Sequence, residues 1–147
     1  MELTVIVPTF NEGPNIAELV IRLEAACVDI DCEAIFVDDS TDDTPDIVDA
    51  VAKTSRIPVR LIHRERPEGG LGGAVIAGLR AARADTCLVM DGDLQHPPED
   101  IPRIYQRFMQ GDVDVVVASR YTGEGTAHGL ANALRTGVSR TSTLVTR

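Results

Sequence analysis

The sequence predicts an α/β fold, a three-layer α/β/α sandwich in which a mostly parallel β-sheet carries helices on both faces. Short β-branched runs alternate along the chain with segments whose apolar residues recur at helical spacing. Polar clusters follow directly after these runs, and parallel sheets bind ligands at the carboxyl ends of their strands. The length of 147 residues suits a single domain, taken as residues 1–147.

The first half of the chain predicts two strand–helix units. Residues 3–8 are short and β-branched, which favours a strand, and residues 14–26 repeat apolar side chains at helical spacing. Residues 33–37 predict the second strand, and residues 45–53 the second helix. A proline opens each of these helices, where its missing N–H costs nothing.

The second half predicts further strands at residues 58–62, 86–90 and 113–118. The last of these runs is nearly all apolar, so we expect it to be buried on both faces of the sheet. The glycine-rich residues 69–73 lack the Lys-Ser/Thr of a phosphate-binding P-loop, so we interpret them as the flexible start of a helix over residues 74–83. A fourth helix is predicted at about residues 98–109.

Composition excludes several classes of protein. The net charge of −9 argues against a nucleic-acid binder, and a hydrophobic content of 44% argues against disorder. No basic leader and no apolar run of about 20 residues is visible, so we expect a cytoplasmic protein. The three cysteines lack Cys-x-x-Cys spacing and are expected to be buried thiols: Cys27, Cys32 and Cys87.

The most informative stretch is residues 88–99, where an apolar run ends in Asp91 and Asp93 on either side of a glycine. Two carboxylates at this spacing can converge on one divalent cation, and Gln95 offers a further oxygen. An acidic turn is the alternative interpretation of the motif by itself. Its position after a predicted strand favours a site for Mg²⁺ or Mn²⁺.

Four polar clusters fall just past predicted strands, at residues 8–12, 38–39, 91–95 and 119–121. Because the carboxyl ends of parallel strands share one edge, we expect these clusters to meet there. Asp39 lies where such sheets place a carboxylate that binds ribose hydroxyls or a base edge, although a capping turn is the alternative. Phe10 could form the wall of a base site, or belong to the core.

Three of the four arginines that follow the fifth predicted strand are candidate anion ligands: Arg120, Arg135 and Arg140. They are either solvated surface residues or an anion site that faces the metal, because arginine binds phosphate through paired hydrogen bonds. His96 is the only histidine beside the acidic motif, and we expect it to form a hydrogen bond in the turn.

Several of these runs resemble family 2 glycosyltransferases of the GT-A fold. Residues 5–12 (VIVPTFNE) and 37–44 (VDDSTDDT) are similar to the first two motifs of that family. Residues 90–99 (MDGDLQHPPE) resemble the dolichol- or polyprenol-phosphate mannosyltransferase branch and related polyprenol-phosphate glucosyltransferases. Residues 119–121 (SRY) and the Arg-x-x-x-Ser pair at 135–139 also match, so the resemblance covers essentially the whole chain.

The resemblance implies a role for each matching residue. The nucleotide would be bound by Pro8, Phe10, Glu12, Val37, Asp39, Asp91 and Gly92. The metal, Mg²⁺ or Mn²⁺, would be held by Asp91, Asp93 and Gln95. The acceptor phosphate would be bound by Arg120, Arg135 and Ser139, with Asp93 and Arg120 as catalytic residues.

The implied reaction is an inverting, metal-dependent transfer of a hexose, with mannose favoured, to a polyprenyl or dolichyl phosphate. GDP-mannose is the first expected donor and UDP-glucose the second. A lipid monophosphate is already anionic near neutral pH, so it needs no general base. This chemistry would place the protein at the cytoplasmic face of a membrane.

Within the domain, residues 1–118 would form the nucleotide and metal half, and residues 119–147 the acceptor side. Members of the family usually continue past the position of Arg147. We therefore expect either a fragment, or an acceptor side that another copy or a membrane partner completes.

Three alternatives remain open or are disfavoured. The chain could be a family 2 transferase that acts on a soluble carbohydrate or other hydroxyl acceptor, or a catalytically silent nucleotide-sugar-binding domain. A receiver-like signalling domain is disfavoured, because it carries its acidic pair after the first strand and a lysine after the fifth. Here Asp38 and Asp39 follow the second strand, and Ser119 and Arg120 stand where the lysine is needed.

Overall fold

A computed structural model of the protein describes residues 1–118. The strands are β1 (Leu3–Thr9), β2 (Cys32–Asp38), β3 (Val59–His63) and β4 (Cys87–Val89). The helices are α1 (Gly13–Ala26), α2 (Thr44–Ala52), α3 (Gly70–Ala81) and α4 (Ile101–Phe108), with a 3₁₀ turn at Pro98–Asp100. The strands are parallel and lie in the order β3-β2-β1-β4, so the direction of winding reverses between β1 and β4.

Helices cover both faces of the sheet, which confirms the three-layer prediction. Alternate side chains of a strand point to opposite faces, so β1 and β2 each supply both layers of core. On one face the core contains Val5, Val7 and Phe36 with Ile16, Leu19 and Leu23 of α1 and Val48 of α2. On the other face Ile6, Ile35 and Val37 pack against Ala74 of α3.

Helix α3 lies unusually close to the central strand because of Gly78. A Cβ atom at this position would stand 2.4 Å from Cγ2 of Ile6, which no side chain can occupy without a shift. The glycine therefore sets how closely α3 approaches the sheet, and with it the position of the helix start at the opposite end of α3.

A buried carboxylate ties the amino-terminal edge of the sheet together. Glu33 is fully buried and accepts hydrogen bonds from Thr4 Oγ1 (3.0 Å), Arg60 Nη1 (3.1 Å) and the backbone N–H of Arg83 (2.9 Å). Burial by itself raises the pKa of Glu33, but these donors outweigh it and hold the pKa below its ordinary value. The carboxylate thereby joins β1, β2, β3 and the segment after α3.

Two details of the sequence prediction are wrong. Residues 113–118 do not form a buried strand, and Val115 and Val117 are 73% and 80% exposed. A strand needs a neighbour for its backbone N–H and C=O groups, and within residues 1–118 no strand lies beyond β4. The glycine run is also not a flexible start to a later helix, because α3 already begins at Gly70.

The cysteines largely follow the prediction. All three are free thiols; Cys27 and Cys32 are buried, whereas Cys87 is half-buried. Burial, followed by the nearby Glu33 carboxylate, raises the pKa of the Cys87 thiol. None of the helices in the part of the chain that the structure describes has the length and apolar character needed to cross a membrane.

We predict that Glu33→Gln lowers the free energy of unfolding at pH 7 by roughly 1–3 kcal/mol, because buried donors lose their charged acceptor. The folded-state pKa of Glu33 is depressed, so its stabilisation is present above the ordinary pKa and is lost as pH falls through the folded value. Urea unfolding at several pH values measures this. The matched control is Asp49→Asn, an exposed acid on α2; equal losses in both variants would contradict the assignment.

Candidate active site

The carboxyl ends of the strands open into a cleft of about 450 Å³. Seven of the residues predicted to form the nucleotide and metal site line it: Pro8, Phe10, Glu12, Asp39, Asp91, Gly92 and Asp93. The remaining lining comes from Thr9, Pro67, Gly70, Leu71 and Ala74. Polar clusters that are far apart in sequence therefore meet at one edge of the sheet, as the strand-end rule predicts.

Two predicted residues do not line this cleft. Val37 is fully buried against α3, so its side chain lies in the core beneath the cleft floor. Gln95 is half-buried, and its backbone N–H donates to Asp93 Oδ1 at 3.0 Å. The predicted acceptor residues Arg120, Arg135 and Ser139 lie outside the described residues.

The two adjacent aspartates after β2 have different environments. Asp38 is fully buried and accepts hydrogen bonds from Thr9 Oγ1 (2.7 Å), Ser40 Oγ (2.5 Å) and the Ser40 backbone N–H (3.2 Å). His63 Nδ1 lies 2.8 Å from the other side of the carboxylate, which requires Nδ1 to carry the hydrogen. Asp38 thus joins the ends of β1, β2 and β3, and Asp39 is left to face the cleft.

Asp39 is paired with Arg64, a residue that the sequence patterns did not single out. Nε and Nη2 of Arg64 donate to the two carboxylate oxygens at 2.7 and 2.5 Å, and both side chains are only 14% exposed. The hydrogen bond to Asp39 raises the pKa of Arg64 above its ordinary value. Arg64 follows directly after β3, so only the parallel pairing of β2 with β3 brings the two together.

Phe10 and Glu12 occupy the mouth of the cleft after β1. The Phe10 side chain is 63% exposed, so it is not part of the core. Asn15 Nδ2 donates to Glu12 Oε2 at 2.6 Å and holds this carboxylate at the start of α1. The sheet edge therefore presents one aromatic face and one oriented acid beside the loop that carries Asp91.

The loop with Asp91 and Asp93 is fixed at its start and turned sharply at Leu94. The backbone N–H of Met90 donates to the carbonyl of Ile6 at 3.1 Å, and Leu94 has a φ of 60°, a strained value for this residue. The backbone N–H of Asp91 lies 3.4 Å from His96 Nδ1, which is the hydrogen-bonding position expected for this histidine. The turn brings both carboxylates to the cleft.

An ion pair holds the far end of this loop. Nε and Nη2 of Arg22 on α1 donate to the carboxylate oxygens of Glu99 at 2.7 and 2.5 Å. The hydrogen bond from Arg22 holds the pKa of Glu99 below its ordinary value. The loop is thereby anchored at both ends, which limits where its carboxylates can lie.

The donor atoms at the cleft fit a hard divalent cation. Asp91 and Asp93 offer carboxylate oxygens, the ligands that Mg²⁺ prefers, and the Asp91 side chain is 52% exposed. Within residues 1–118 no group of three or more His, Cys, Asp or Glu side chains could hold an ion by itself. Asp91 and Asp93 would therefore supply only part of the coordination shell of such an ion.

Comparison with known proteins agrees with this geometry. The model of the family "Glycosyl transferase family 2" matches residues 4–142. The chain belongs to this family. The dolichol-phosphate mannosyltransferase of Pyrococcus furiosus is 41% identical over 127 residues, which cover 85% of this chain and 35% of that protein. The chain spans about a third of the length of this relative.

Solved structures show the same fold. The mannosyltransferase PcManGT from Pyrobaculum calidifontis, in complex with GDP-Man and Mn²⁺, is 32% identical, with a TM-score of 0.59 over 67% of this chain and 29% of that one. TarS of S. aureus in complex with UDP-GlcNAc is 28% identical, with a TM-score of 0.63 over 75% of this chain and 31% of that one. The expected GT-A fold is confirmed.

We predict that Asp38→Asn destabilises the protein by roughly 2–3 kcal/mol, because the amide loses the charge and places an N–H₂ group among buried donors. Denaturant unfolding measures the loss. The exposed loop residue Asp29 provides a matched control, and Asp29→Asn should change stability by less than about 0.5 kcal/mol. If Asp38→Asn is as stable as Asp29→Asn, the buried Asp38 carboxylate does not hold the strand ends together.

Proposed function

We propose that this chain forms the donor- and metal-binding part of an inverting hexosyltransferase that transfers mannose to a polyprenyl or dolichyl phosphate. The observation that carries this proposal is the convergence of Asp39, Asp91 and Asp93 with Phe10 in one cleft at the reversal point of the sheet. Each of these side chains is suited to bind one portion of a nucleoside diphosphate sugar or its metal ion.

The charge of the cleft favours a metal-dependent donor. Four carboxylate residues line it, Glu12, Asp39, Asp91 and Asp93, and none of the lining residues in the described part of the chain is a lysine or arginine. An anionic diphosphate would be repelled by this surface unless a cation lay between them. Mg²⁺ or Mn²⁺ held by Asp91 and Asp93, with Gln95 beside them, would supply that charge and stabilise the leaving diphosphate.

The nucleoside would lie between the apolar side chains at the cleft mouth. Phe10 and Leu71 are 63% and 65% exposed, and both line the cleft. Covering such side chains with a flat base removes apolar area from water, which is favourable. The carboxylate of Asp39 at the same wall retains lone pairs that can accept hydrogen bonds from a ribose or base.

Similar proteins are named for different sugars, and some are undecaprenyl-phosphate 4-deoxy-4-formamido-L-arabinose transferases. Mannose is supported by the name of the Pyrococcus mannosyltransferase, and GDP-mannose by the Pyrobaculum complex with GDP-Man. A uridine donor such as UDP-glucose is the second candidate, since the TarS complex contains UDP-GlcNAc. We therefore assign GDP-mannose as the first donor to test.

The acceptor assignment rests on the name of the Pyrococcus relative and on the chemistry of phosphate. A lipid phosphate is already a nucleophilic anion, so placement and charge balance are sufficient and no base is required. Arg120, Arg135 and Ser139 would provide them, with Arg120 and Asp93 as the catalytic residues. The protein would work at the cytoplasmic membrane face.

We predict that GDP binds the wild-type protein only with Mn²⁺ or Mg²⁺ present, and that Asp93→Ala weakens this binding at least about tenfold, or about 1.4 kcal/mol. The loss follows from removal of one metal ligand. Calorimetric titration of GDP and UDP, with the ion or with a chelator, measures both effects. Asp85→Ala, an exposed acid away from the cleft, is the control. Tight binding in chelator would refute the metal assignment.

We predict that the same protein transfers mannose to a short polyprenyl phosphate, and that Arg135→Ala lowers this turnover about tenfold or more while GDP affinity stays within about twofold. Product analysis with a phosphate acceptor and a glycoside acceptor in parallel measures this. Transfer to the glycoside alone supports the alternative hydroxyl acceptor. Donor binding without transfer to either supports the alternative of a catalytically silent binding domain.

A further inference from the structure

The guanidinium of Arg64 joins three segments of the chain. Beyond its two hydrogen bonds to Asp39, Nη1 donates to the carbonyl of Glu68 at 3.1 Å and Nη2 to the carbonyl of Gly70 at 3.0 Å. Its backbone N–H also donates to the carbonyl of Asp38 at 2.8 Å. One side chain therefore connects the end of β2 with the loop after β3 and with the first turn of α3.

The segment that Arg64 holds, residues 65–73, is the glycine-rich wall of the cleft. Every residue from Glu65 to Gly72 is exposed, so no buried side chain fixes this part of the wall. Pro67, Gly70 and Leu71 nevertheless line the cleft. The position of this wall therefore depends on backbone hydrogen bonds, and the Arg64 guanidinium supplies two of them.

The glycines make room for this arginine. Gly69 and Gly70 have φ values of 74° and 53°, which turn the chain back toward the guanidinium. A Cβ atom at Gly73 would stand 1.9 Å from the carbonyl oxygen of Glu68 and 2.9 Å from Arg64 Nη1. The glycine run, which the sequence predicts to be a flexible start of a helix, is shaped around the guanidinium of Arg64.

Arg64 itself does not line the cleft, but it acts on two features that do. It orients the carboxylate of Asp39 through a bidentate pair and balances one of the four negative charges of the lining. It also sets the place of the wall that carries Leu71. A ligand that contacts both Asp39 and Leu71 therefore contacts two surfaces that Arg64 holds in place.

We propose that Arg64 is a positioning residue that couples nucleotide binding at Asp39 to the order of the glycine-rich wall. The inference rests on the proposed function, because it assigns the nucleotide to this cleft. Coupling between two features is reciprocal: if an ordered wall favours the nucleotide, the bound nucleotide stabilises the wall by the same factor. The hydrogen bonds of Arg64, rather than packing of the Leu71 side chain, then place Leu71 beside the nucleoside.

The test compares Arg64→Ala and Arg64→Lys with Arg66→Ala in the full 147-residue chain. Arg66 lies on the same loop, is exposed and carries the same charge, so it is a matched control. Titration with GDP and Mn²⁺ should show affinity at least about tenfold lower for Arg64→Ala and within about twofold of wild type for Arg66→Ala. Arg64→Lys keeps the charge without the fork, so it should recover only a small part of the loss.

Hydrogen exchange provides the readout that a merely structural role would leave unchanged. The amide of Gly73 donates to the carbonyl of Gly69 at 3.0 Å, so it reports on the wall directly. GDP with Mn²⁺ should slow exchange in residues 65–73 of the wild type, and this slowing should vanish in Arg64→Ala and in Asp39→Asn. The double variant with Arg64→Ala and Asp39→Asn should bind GDP at most about twofold more weakly than the weaker-binding single variant, because both substitutions break the same Arg64–Asp39 pair.

The outcomes separate this inference from the proposed function. A wild-type protein that binds neither GDP nor UDP with Mn²⁺ refutes the proposed function and the coupling together. Nucleotide binding that is as tight in Arg64→Ala as in wild type refutes the coupling alone, as does wild-type affinity in Arg64→Lys, which would reduce the role of Arg64 to charge. If Arg64→Ala is unfolded by circular dichroism, the affinity and loop exchange of Arg64→Lys decide the question in the same way.

Discussion

The cleft of this protein depends on one buried carboxylate at the carboxyl ends of its parallel strands. Asp38 accepts hydrogen bonds from residues at the ends of three strands: Thr9, Ser40 and His63. Each of these partners is next in sequence to a residue that forms or supports the cleft: Phe10, Asp39 and Arg64. A fully buried charge is stable only when several donors surround it. The requirement to satisfy Asp38 therefore fixes where the functional residues can stand.

Each end of the sheet contains one buried, hydrogen-bonded carboxylate, and the two carboxylates have different roles. Glu33 at the amino-terminal edge and Asp38 at the carboxyl edge are both fully buried and both fully hydrogen-bonded. The donors around Glu33 belong to backbone and side chains that only hold the layers together. Those around Asp38 adjoin the residues that line or support the cleft. The fold thus has one edge that holds the layers together and one that carries the candidate site, which is where parallel α/β sheets generally bind ligands.

The acidic character of the cleft explains why its charges must be shared with other groups. Asp39 is balanced by Arg64 within the protein, whereas Asp91 and Asp93 face the cleft with no bound guanidinium in the described part of the chain. A cation and a diphosphate together would balance this second pair. Arg64 therefore balances one of the four negative charges of the lining, and in the proposed function a bound cation would balance the charges of Asp91 and Asp93.

The sequence alone determined the alternation of strands and helices as far as α4, the edge of the sheet at which the polar clusters meet and the position of the paired acids Asp91 and Asp93 in the cleft. These depend on local periodicity and on the rule that parallel strands end together, both of which are written in short stretches of chain. Only the tertiary structure decided which of Asp38 and Asp39 is buried, that Arg64 supports the glycine-rich wall, and that residues 113–118 are exposed. The burial of Asp38 and the pairing of Asp39 with Arg64 depend on contacts between residues 25 positions apart, and the exposure of residues 113–118 depends on whether a neighbouring strand is present. The hydrogen bonds from Arg64 to the wall span only four and six residues, but they require a guanidinium that its pair with Asp39 holds in place. No local pattern encodes these contacts.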